Sequence, residues 1–427
     1  MKKVECDIVV IGSGIGGTTA AALLAKEGFK TIIVEKLPFA GGRCATLDYN
    51  GYKINTGICW VHESTAGALC KEVGSELELR YVDPPIGFRV DGKDYFEPMG
   101  LMAMITQVAR DEDEAERVLQ ALMSALSWQE PSDFTSIGDW VKQYSDNPKM
   151  LGLFQFFARE PGLNMDEMPA GELFRWVSQA PQELLGALPG GGGQLTDTLI
   201  QTIKKRGGEV WTRCPAIKIN VEDNAATGVV VRKDGEDIEI AAQAVISNAL
   251  PRLTVKLVGE ENLNPGYLKD VENVPSTAQI IYHLVSNKPL IDCSCPLAFT
   301  ESRRVYGLMQ LTNSCPEMAP KGKHLLMAGS TLTSGRPPYD FKKEVALALQ
   351  DLKENLADFE VLRINCCHGD WPVIGAWPGR KMPIRTAVIG LYLANDSSGP
   401  LGYIGGIAAM TSGRLVAEDV TIRFSPA

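Results

Sequence analysis

Three glycines and one acid near the start of the chain are the first residues whose spacing suggests chemistry. Gly12, Gly14 and Gly17 stand in G-x-G-x-x-G spacing within the run GSGIGG, and Glu35 follows 23 residues after Gly12. Each glycine serves a different purpose. Gly12 permits a tight turn, Gly14 lets the backbone approach a pyrophosphate, and Gly17 lets a helix pack close to a strand. Ile15 and Gly16 complete the turn. The helix start beyond it offers free N–H groups and a positive dipole end to phosphate. Glu35 is placed to accept hydrogen bonds from both ribose hydroxyls, and Lys36 stands beside it. An acid at this position disfavours a 2′-phosphate, so FAD or NAD fits better than NADP. Gly41, Gly42 and Arg43 make a second glycine-rich approach, where a guanidinium can neutralise pyrophosphate oxygens in fork geometry.

The elements that must hold these residues read in the required order. Residues 4–11 (VECDIVVI) predict a buried parallel strand, Thr18 to Gly28 a helix, and Thr31 to Val34 a second strand ending at Glu35. A strand before the turn, a helix after it and an acid at the next strand end are the context a dinucleotide site needs. Gly51-Tyr52 and Asn55-Thr56-Gly57 read as a hairpin-like return.

With the G-x-G-x-x-G turn, Glu35 and the Gly41-Gly42-Arg43 motif together, the sequence resembles the flavoprotein superfamily of phytoene desaturases, carotenoid isomerases and flavin amine oxidases. The resemblance implies noncovalent FAD, and two later segments extend it. In the first, residues 188–250, a glycine loop leads to an amphipathic helix stopped by Gly207-Gly208. Three short strands follow, Ala216–Val221, Thr227–Arg232 and Asp237–Ile240, and then Ala244–Ala249. In the resembled family the first of these lies against the adenine, which assigns Ala216 and Ile217 a backbone contact; plain sheet core is the alternative. The second segment is 390–420. Asn395-Asp396 follows a strand, and the resemblance puts Asp396 on the flavin side of the cofactor. The next helix, from about Gly406 with Gly405 and Ile407 beside it, would aim its N-terminus at the flavin's pyrimidine edge. A positive dipole end there favours negative charge on the reduced ring.

The expected fold class is α/β: a discontinuous, doubly wound, Rossmann-type FAD-binding domain with an inserted α+β substrate domain of mixed sheet plus helices. Residues 1–82, 188–274 and 366–427 make the first, and 83–187 and 275–365 the second. The insert opens with a hairpin at Asp91-Gly92. Helical patterns follow at Leu101–Trp128, Ser136–Tyr144, Met150–Ala158 and Ala170–Gln179. Its later part predicts strands Gln279–Val285, Val305–Leu311 and His324–Ser330 and a helix Asp340–Leu356. Such a covered sheet suits an apolar pocket over the flavin ring.

The resemblance leaves two reactions open. One is desaturation or isomerisation of carbon–carbon bonds in an apolar substrate; the other is oxidation of an amine. Many amine oxidases of the family carry a lysine near the reactive ring nitrogen, where this chain has Gln279, which favours carbon chemistry. Trp377 and Tyr403 stand at roughly the places of the amine oxidases' two flavin-flanking rings; core packing is the alternative for both. His62 and Glu63 are candidates for a base, against a surface-loop reading, and His283 is read as a core histidine. Cys366-Cys367-His368 and Cys293-x-Cys295 lack a second pair at zinc spacing, so no metal is expected. A nonenzymatic role is a further alternative, since the fold also serves escort proteins that bind prenylated GTPases. Those lack an intact nucleotide fingerprint.

Composition bounds the rest. At ~150 residues per domain, 427 residues make two or three domains. A hydrophobic fraction of 45% excludes a disordered chain. A net charge of −10 without a basic block argues against nucleic acid. No apolar run approaches the ~18 residues of a membrane span, and the opening is too short for a signal peptide. A cytoplasmic protein is expected, its ten cysteines free. Peripheral membrane contact through apolar stretches such as 99–109 is an alternative to burying them. A small apolar substrate or an amine is the expected partner. Oxygen, a quinone or another redox partner are all open as electron acceptor, and so is the oligomeric state.

Overall fold

A five-stranded parallel sheet forms the framework of the nucleotide side. The computed structural model describes residues 2–96, 100–128, 130–179 and 185–426. Strand order is Glu209–Trp211, Thr31–Val34, Ile8–Ile11, Ala244–Ser247, Leu391–Leu393. All four pairings are parallel. The sheet is thus assembled from three distant parts of the chain. The Ile8–Ile11, Thr31–Val34 and Ala244–Ser247 strands are buried on both faces, which is why they read as continuous apolar runs.

The predicted single strand 4–11 is two strands. Lys2–Glu5 pairs with Glu236–Ala241 in a separate four-stranded sheet, and Ile8–Ile11 enters the parallel one. The step falls at Cys6-Asp7. The Asp7 carboxylate accepts from Lys30 N at 2.6 Å, and its carbonyl accepts from Gln243 N at 2.9 Å, so the chain is held between layers. The helix after the glycine turn spans Ile15–Lys26, three residues earlier at its start than expected.

The insert contributes a seven-stranded mixed sheet. Its order is Glu360–Cys367, Gln279–Ser286, His324–Thr331, Val305–Gln310, Leu297–Phe299, Gly87–Val90, Lys93–Tyr95. The two faces do different work. Ile280, Tyr282 and Leu284 pack with Ala348 and Leu352 of the Phe341–Asn355 helix. Gln279, Ile281 and His283 alternate onto the opposite face. His283 Nε2 there lies 3.2 Å from the Asn55 carbonyl, on the Tyr52–Asn55 strand of the nucleotide side. Leu311, expected at a strand end, begins a short helical turn.

A helical layer closes the far side. The expected helix Leu101–Trp128 is two, Gly100–Val108 and Glu112–Ser127, because Asp111 caps the second by accepting from Glu114 N at 2.8 Å. Pro148–Arg159 and Ala170–Gln179 complete the layer, with the Trp140 ring packed tilted against Phe154 and edge-on against Phe174. The apolar stretch from residue 100 buries Leu101, Met104, Ile105 and Val108 in this layer; Met99 lies outside the described residues. Among the described residues no helix is long and apolar enough to cross a membrane, and no three metal-ligating side chains cluster.

Candidate active site

The glycine turn sits at the C-terminal ends of the Ile8–Ile11 and Ala244–Ser247 strands, the crevice where such sheets bind ligands. Gly12 has φ of +93°, which a side-chain-bearing residue would resist. A Cβ on Gly14 would lie 2.4 Å from Asn248 Oδ1. One on Gly17 would lie 2.6 Å from the Gly12 carbonyl and 3.1 Å from Val10 Cγ1, so this glycine does set the helix against its strand. Gly16 matters for packing as well, since its missing side chain makes room for the Ala394 carbonyl, which would stand 2.3 Å from a Cβ. Gly413 reciprocates against the Gly16 carbonyl at 2.4 Å, so the Ile15–Lys26 and Gly405–Arg423 helices cross here at backbone contact. Ile15 is buried at the helix start.

Glu35 is 5% exposed and faces the turn. Its Oε2 accepts from Ser13 N at 2.9 Å and Ser13 Oγ at 2.7 Å, and Oε1 accepts from Leu37 N at 2.9 Å. Ser13 Oγ in turn accepts from Gly41 N at 3.1 Å, which joins the two glycine motifs. Gly41 and Gly42 both have positive φ. Arg213 N and Cys214 N bond to the Leu37 and Glu35 carbonyls and bring the Ala216–Glu222 strand alongside. Ala216 is half-buried there, whereas Ile217 and Lys36 are exposed.

Arg43 and Asp396 meet. The guanidinium donates to both carboxylate oxygens at 2.7 Å and to the Val373 carbonyl at 2.9 Å. Gly375 N also donates to Asp396 Oδ2 at 2.7 Å. Burial opposes both charges, but the pairing outweighs it: Arg43 is held above its ordinary pKa and Asp396 below its own. Lys381, whose pKa burial lowers, donates to the Asp396 carbonyl. Asn395 Nδ2 donates to the Ala249 carbonyl at 2.7 Å. The first and last segments are thus locked by charge. With Asp396 engaged, the Arg43 charge is largely compensated rather than free for phosphate. The Gly405–Arg423 helix starts nearby, and Gly405, Gly406 and Ile407 retain accessible surface at its first turn. Its first N–H groups have no partners within the helix.

Several side chains lie deep in the protein and yet keep accessible surface: Arg43, Cys59, Glu160, Tyr306 and Lys381. Deep groups with accessible area line an internal space. The sheet face that carries Gln279, Ile281 and Met327 is turned toward the nucleotide side, where His283 on the same face meets the Asn55 carbonyl. Gln279 is fully buried, and its Nε2 donates to the Arg159 and Glu160 carbonyls, both at 2.9 Å. Cys59 Sγ lies 3.6 Å from Met327 Sδ.

The remaining candidates scatter. Trp377 is 7% exposed, belongs to the core of the helical layer, and carries the Arg336 guanidinium 5.0 Å over its ring. Tyr403 is half-buried beside Gly402, whose N donates to Glu172. Among the described residues the two rings make no mutual contact. His62 lies edge-on to Trp60, ring centroids 6.1 Å apart, in the Trp60–His62 strand. Glu63 is engaged near the surface by Lys71 at 2.5 Å and Tyr81 Oη at 3.3 Å, which lowers its pKa and removes it from the cavity. His283 is a buried core residue whose pKa burial lowers to about 4. Asn248, Ser13, Lys381 and Glu160 escaped the sequence reading. Asn248 alone had a signal, as a polar residue closing the buried AVIS strand.

These residues fit FAD. Glu35 would offer acceptors to a ribose, the Cβ-free cradle at Gly12 to Gly17 leaves room for a pyrophosphate, and a second helix N-terminus stands beyond. The family profile described as flavin containing amine oxidoreductase matches residues 15–421. An uncharacterised protein of Methanocaldococcus jannaschii is 27% identical over 86% of this chain and 87% of its own length. An inactive all-trans-retinol 13,14-reductase of Danio rerio is 28% identical over 57% of this chain and 47% of its own. A 4,4'-diapophytoene desaturase of a Methylomonas species is 24% identical over 61% and 56% respectively. The chain therefore spans about half the length of these last two relatives. The solved structure of an oxidoreductase from Methanosarcina mazei is 26% identical, with a TM-score of 0.86, over 97% of this chain and 100% of that one. Fingerprint, fold and family profile agree: the chain belongs to the flavin-containing amine oxidoreductase family and is an FAD-dependent oxidoreductase.

Proposed function

We propose that this protein oxidises or rearranges carbon–carbon bonds of an apolar small molecule, in the manner of a desaturase or isomerase, with noncovalently bound FAD. The observation that carries the reading is Gln279. Where amine oxidases of the resembled kind place a lysine, this chain has a neutral amide tied to two backbone carbonyls. The neighbouring wall is apolar and sulfur-rich, with Ile281, Met327 and Cys59. Such a lining offers a hydrocarbon dispersion contacts. The names of the reductase and desaturase relatives support the same direction.

Bound FAD supplies two-electron acceptance from a substrate C–H bond. The protein's part is to bind, orient and exclude water. The sheet face orients substrate, the helical layer seals the cavity, and the Arg43–Asp396 pair holds the two ends of the cofactor site at fixed spacing. Amine oxidation is the second reading. The free carboxylate of Glu160 favours it, because that group would pair with an ammonium. Anaerobic mixing separates the two. Under our reading the flavin bands bleach with an unsaturated isoprenoid and stay unchanged with primary amines; the reverse result refutes it.

A further inference from the structure

The buried acids among the described residues are spoken for: Asp7 takes Lys30 N and Asp419 takes Arg385. Glu35 takes Ser13, Asp396 takes Arg43, Glu114 takes Ser145, Glu172 takes Gly402, Glu344 takes Arg304, and Asp351 takes Arg303. Glu160 differs. It lies deep in the protein but is only half-buried, and among the described residues its carboxylate has neither a hydrogen bond nor an ion pair. A carboxylate without a partner is costly in the interior unless it faces a space that water or a ligand can enter. The backbone fixes it there. Glu160 ends the Pro148–Arg159 helix, its N–H donates to the Phe156 carbonyl at 3.0 Å, and its carbonyl accepts from Gln279 Nε2.

Groups from every neighbouring element can be named. Tyr306, on the Val305–Gln310 strand, is near enough for the Glu160 charge to raise its pKa further, after burial. Its hydroxyl occupies a niche over Gly329, where an added Cβ would stand 2.1 Å away. Cys59 and Cys367 are also near enough to act on Tyr306, and Gln279 is neutral. Arg159, the one cation adjacent in sequence, sends its guanidinium to the Ser302 and Arg303 carbonyls. Nothing cationic therefore holds the Glu160 proton off, and burial pushes its pKa up to about 7.

We infer that Glu160 is the proton acceptor of the substrate cavity, and that Tyr306 is a positioning residue beside it. The inference deepens the carbon–carbon reading and rests on it. In oxidation the substrate loses a hydride, with two electrons, to the cofactor, and its carbon becomes cationic. The adjacent C–H bond then breaks: its electron pair forms the double bond and its proton passes to the Glu160 carboxylate. The acid so formed releases the proton to water. In isomerisation it would instead return the proton to another carbon, and the hydride with its two electrons would return to the substrate from the cofactor, so that no net oxidation remains. A group with a pKa near the working pH suits both directions.

The test uses the holoenzyme, E160Q, E160D and Y306F, each checked for a normal flavin spectrum and melting temperature. Infrared difference spectra between pH 6 and pH 8 read Glu160 without substrate. A protonated carboxyl band present at pH 6, lost by pH 8 and missing in E160Q is expected; a Glu160 ionised at both pH values overturns the inference. Anaerobic flavin bleaching then uses 4,4'-diapophytoene in phosphatidylcholine vesicles and, separately, benzylamine. With the polyene the wild-type rate should rise with pH to a plateau above about 7. E160Q should be slower by ~10²-fold or more and flat with pH, and E160D should recover part of the rate. An E160Q enzyme with the wild-type rate and profile overturns the inference. If benzylamine bleaches the flavin and the polyene does not, the carbon–carbon reading fails by itself. Glu160 is then judged on the amine: a flat, lowered limiting rate in E160Q supports proton acceptance, and a raised KM at unchanged limiting rate overturns it in favour of an ammonium anchor.

Discussion

Replacing Asp396 with asparagine asks whether the last segment of the chain is tied to the first by charge. The Asp396 side chain is 3% exposed and that of Arg43 29%. Removing one partner of a buried ion pair costs ~3–5 kcal/mol, because the other charge is stranded. Arg43 keeps the Val373 carbonyl and some contact with the internal space, and asparagine still offers Gly375 N an acceptor, so ~2–3 kcal/mol is the better figure. At ~2.1 cal/mol/K of unfolding entropy per residue, a chain of 427 residues should then melt ~2–3 °C lower. Differential scanning calorimetry of apo and holo protein, with flavin content by absorbance, reads both effects; D396N should also hold less FAD. The sign with pH follows from the depressed carboxyl. The wild-type margin over D396N is full above the ordinary Asp value of about 3.9 and is lost as pH falls through the lower folded value. The double variant R43M/D396L strands no charge and should melt above D396N. An unchanged melting temperature with full flavin content in D396N, or a double variant no better than the single, refutes the lock.

Two further variants probe the same architecture. Gly17→Ala places a Cβ 2.6 Å from the Gly12 carbonyl and 2.9 Å from Asn248 Cβ, so it should cost ~1–3 kcal/mol and weaken FAD retention; thermal scans and dialysis against buffer check it. His283, neutral in the core with a pKa near 4, contributes stability that is fully present above its unfolded value of about 6.5. That contribution, up to ~3 kcal/mol, is lost as pH falls through 4, and His283→Gln should flatten this part of the urea-midpoint profile between pH 7 and pH 4.

What could be read in the sequence was what is local. The turn at Gly12, the helix–strand approach at Gly17 and the acid at Glu35 all act within one short stretch, so spacing revealed them. Gly16 was read as part of a ligand turn, yet its neighbours are Ala394 and Gly413, nearly four hundred residues on. Nothing in the first stretch encodes that crossing. The same holds for Arg43, whose carboxylate partner lies on the C-terminal segment. Glu160 was invisible for another reason. Arg-Glu-Pro-Gly after an amphipathic helix reads as a solvated helix end, and only the sheet laid against it turns that end inward. The break at Asp111 was legible in principle, since an acidic run is a cap signal. Apolar periodicity on both sides masked it. The split at Cys6-Asp7 was not, because two adjacent sheets accept the same β-branched pattern.

The most direct measurement is a crystal structure of the yellow holoprotein. One FAD should span all three segments, with its ribose hydroxyls on Glu35, its pyrophosphate at Gly14 and Ile15, and its pyrimidine edge at the start of the Gly405–Arg423 helix. A nicotinamide nucleotide in that crevice, or a flavin bound without contact to the C-terminal segment, would contradict the account.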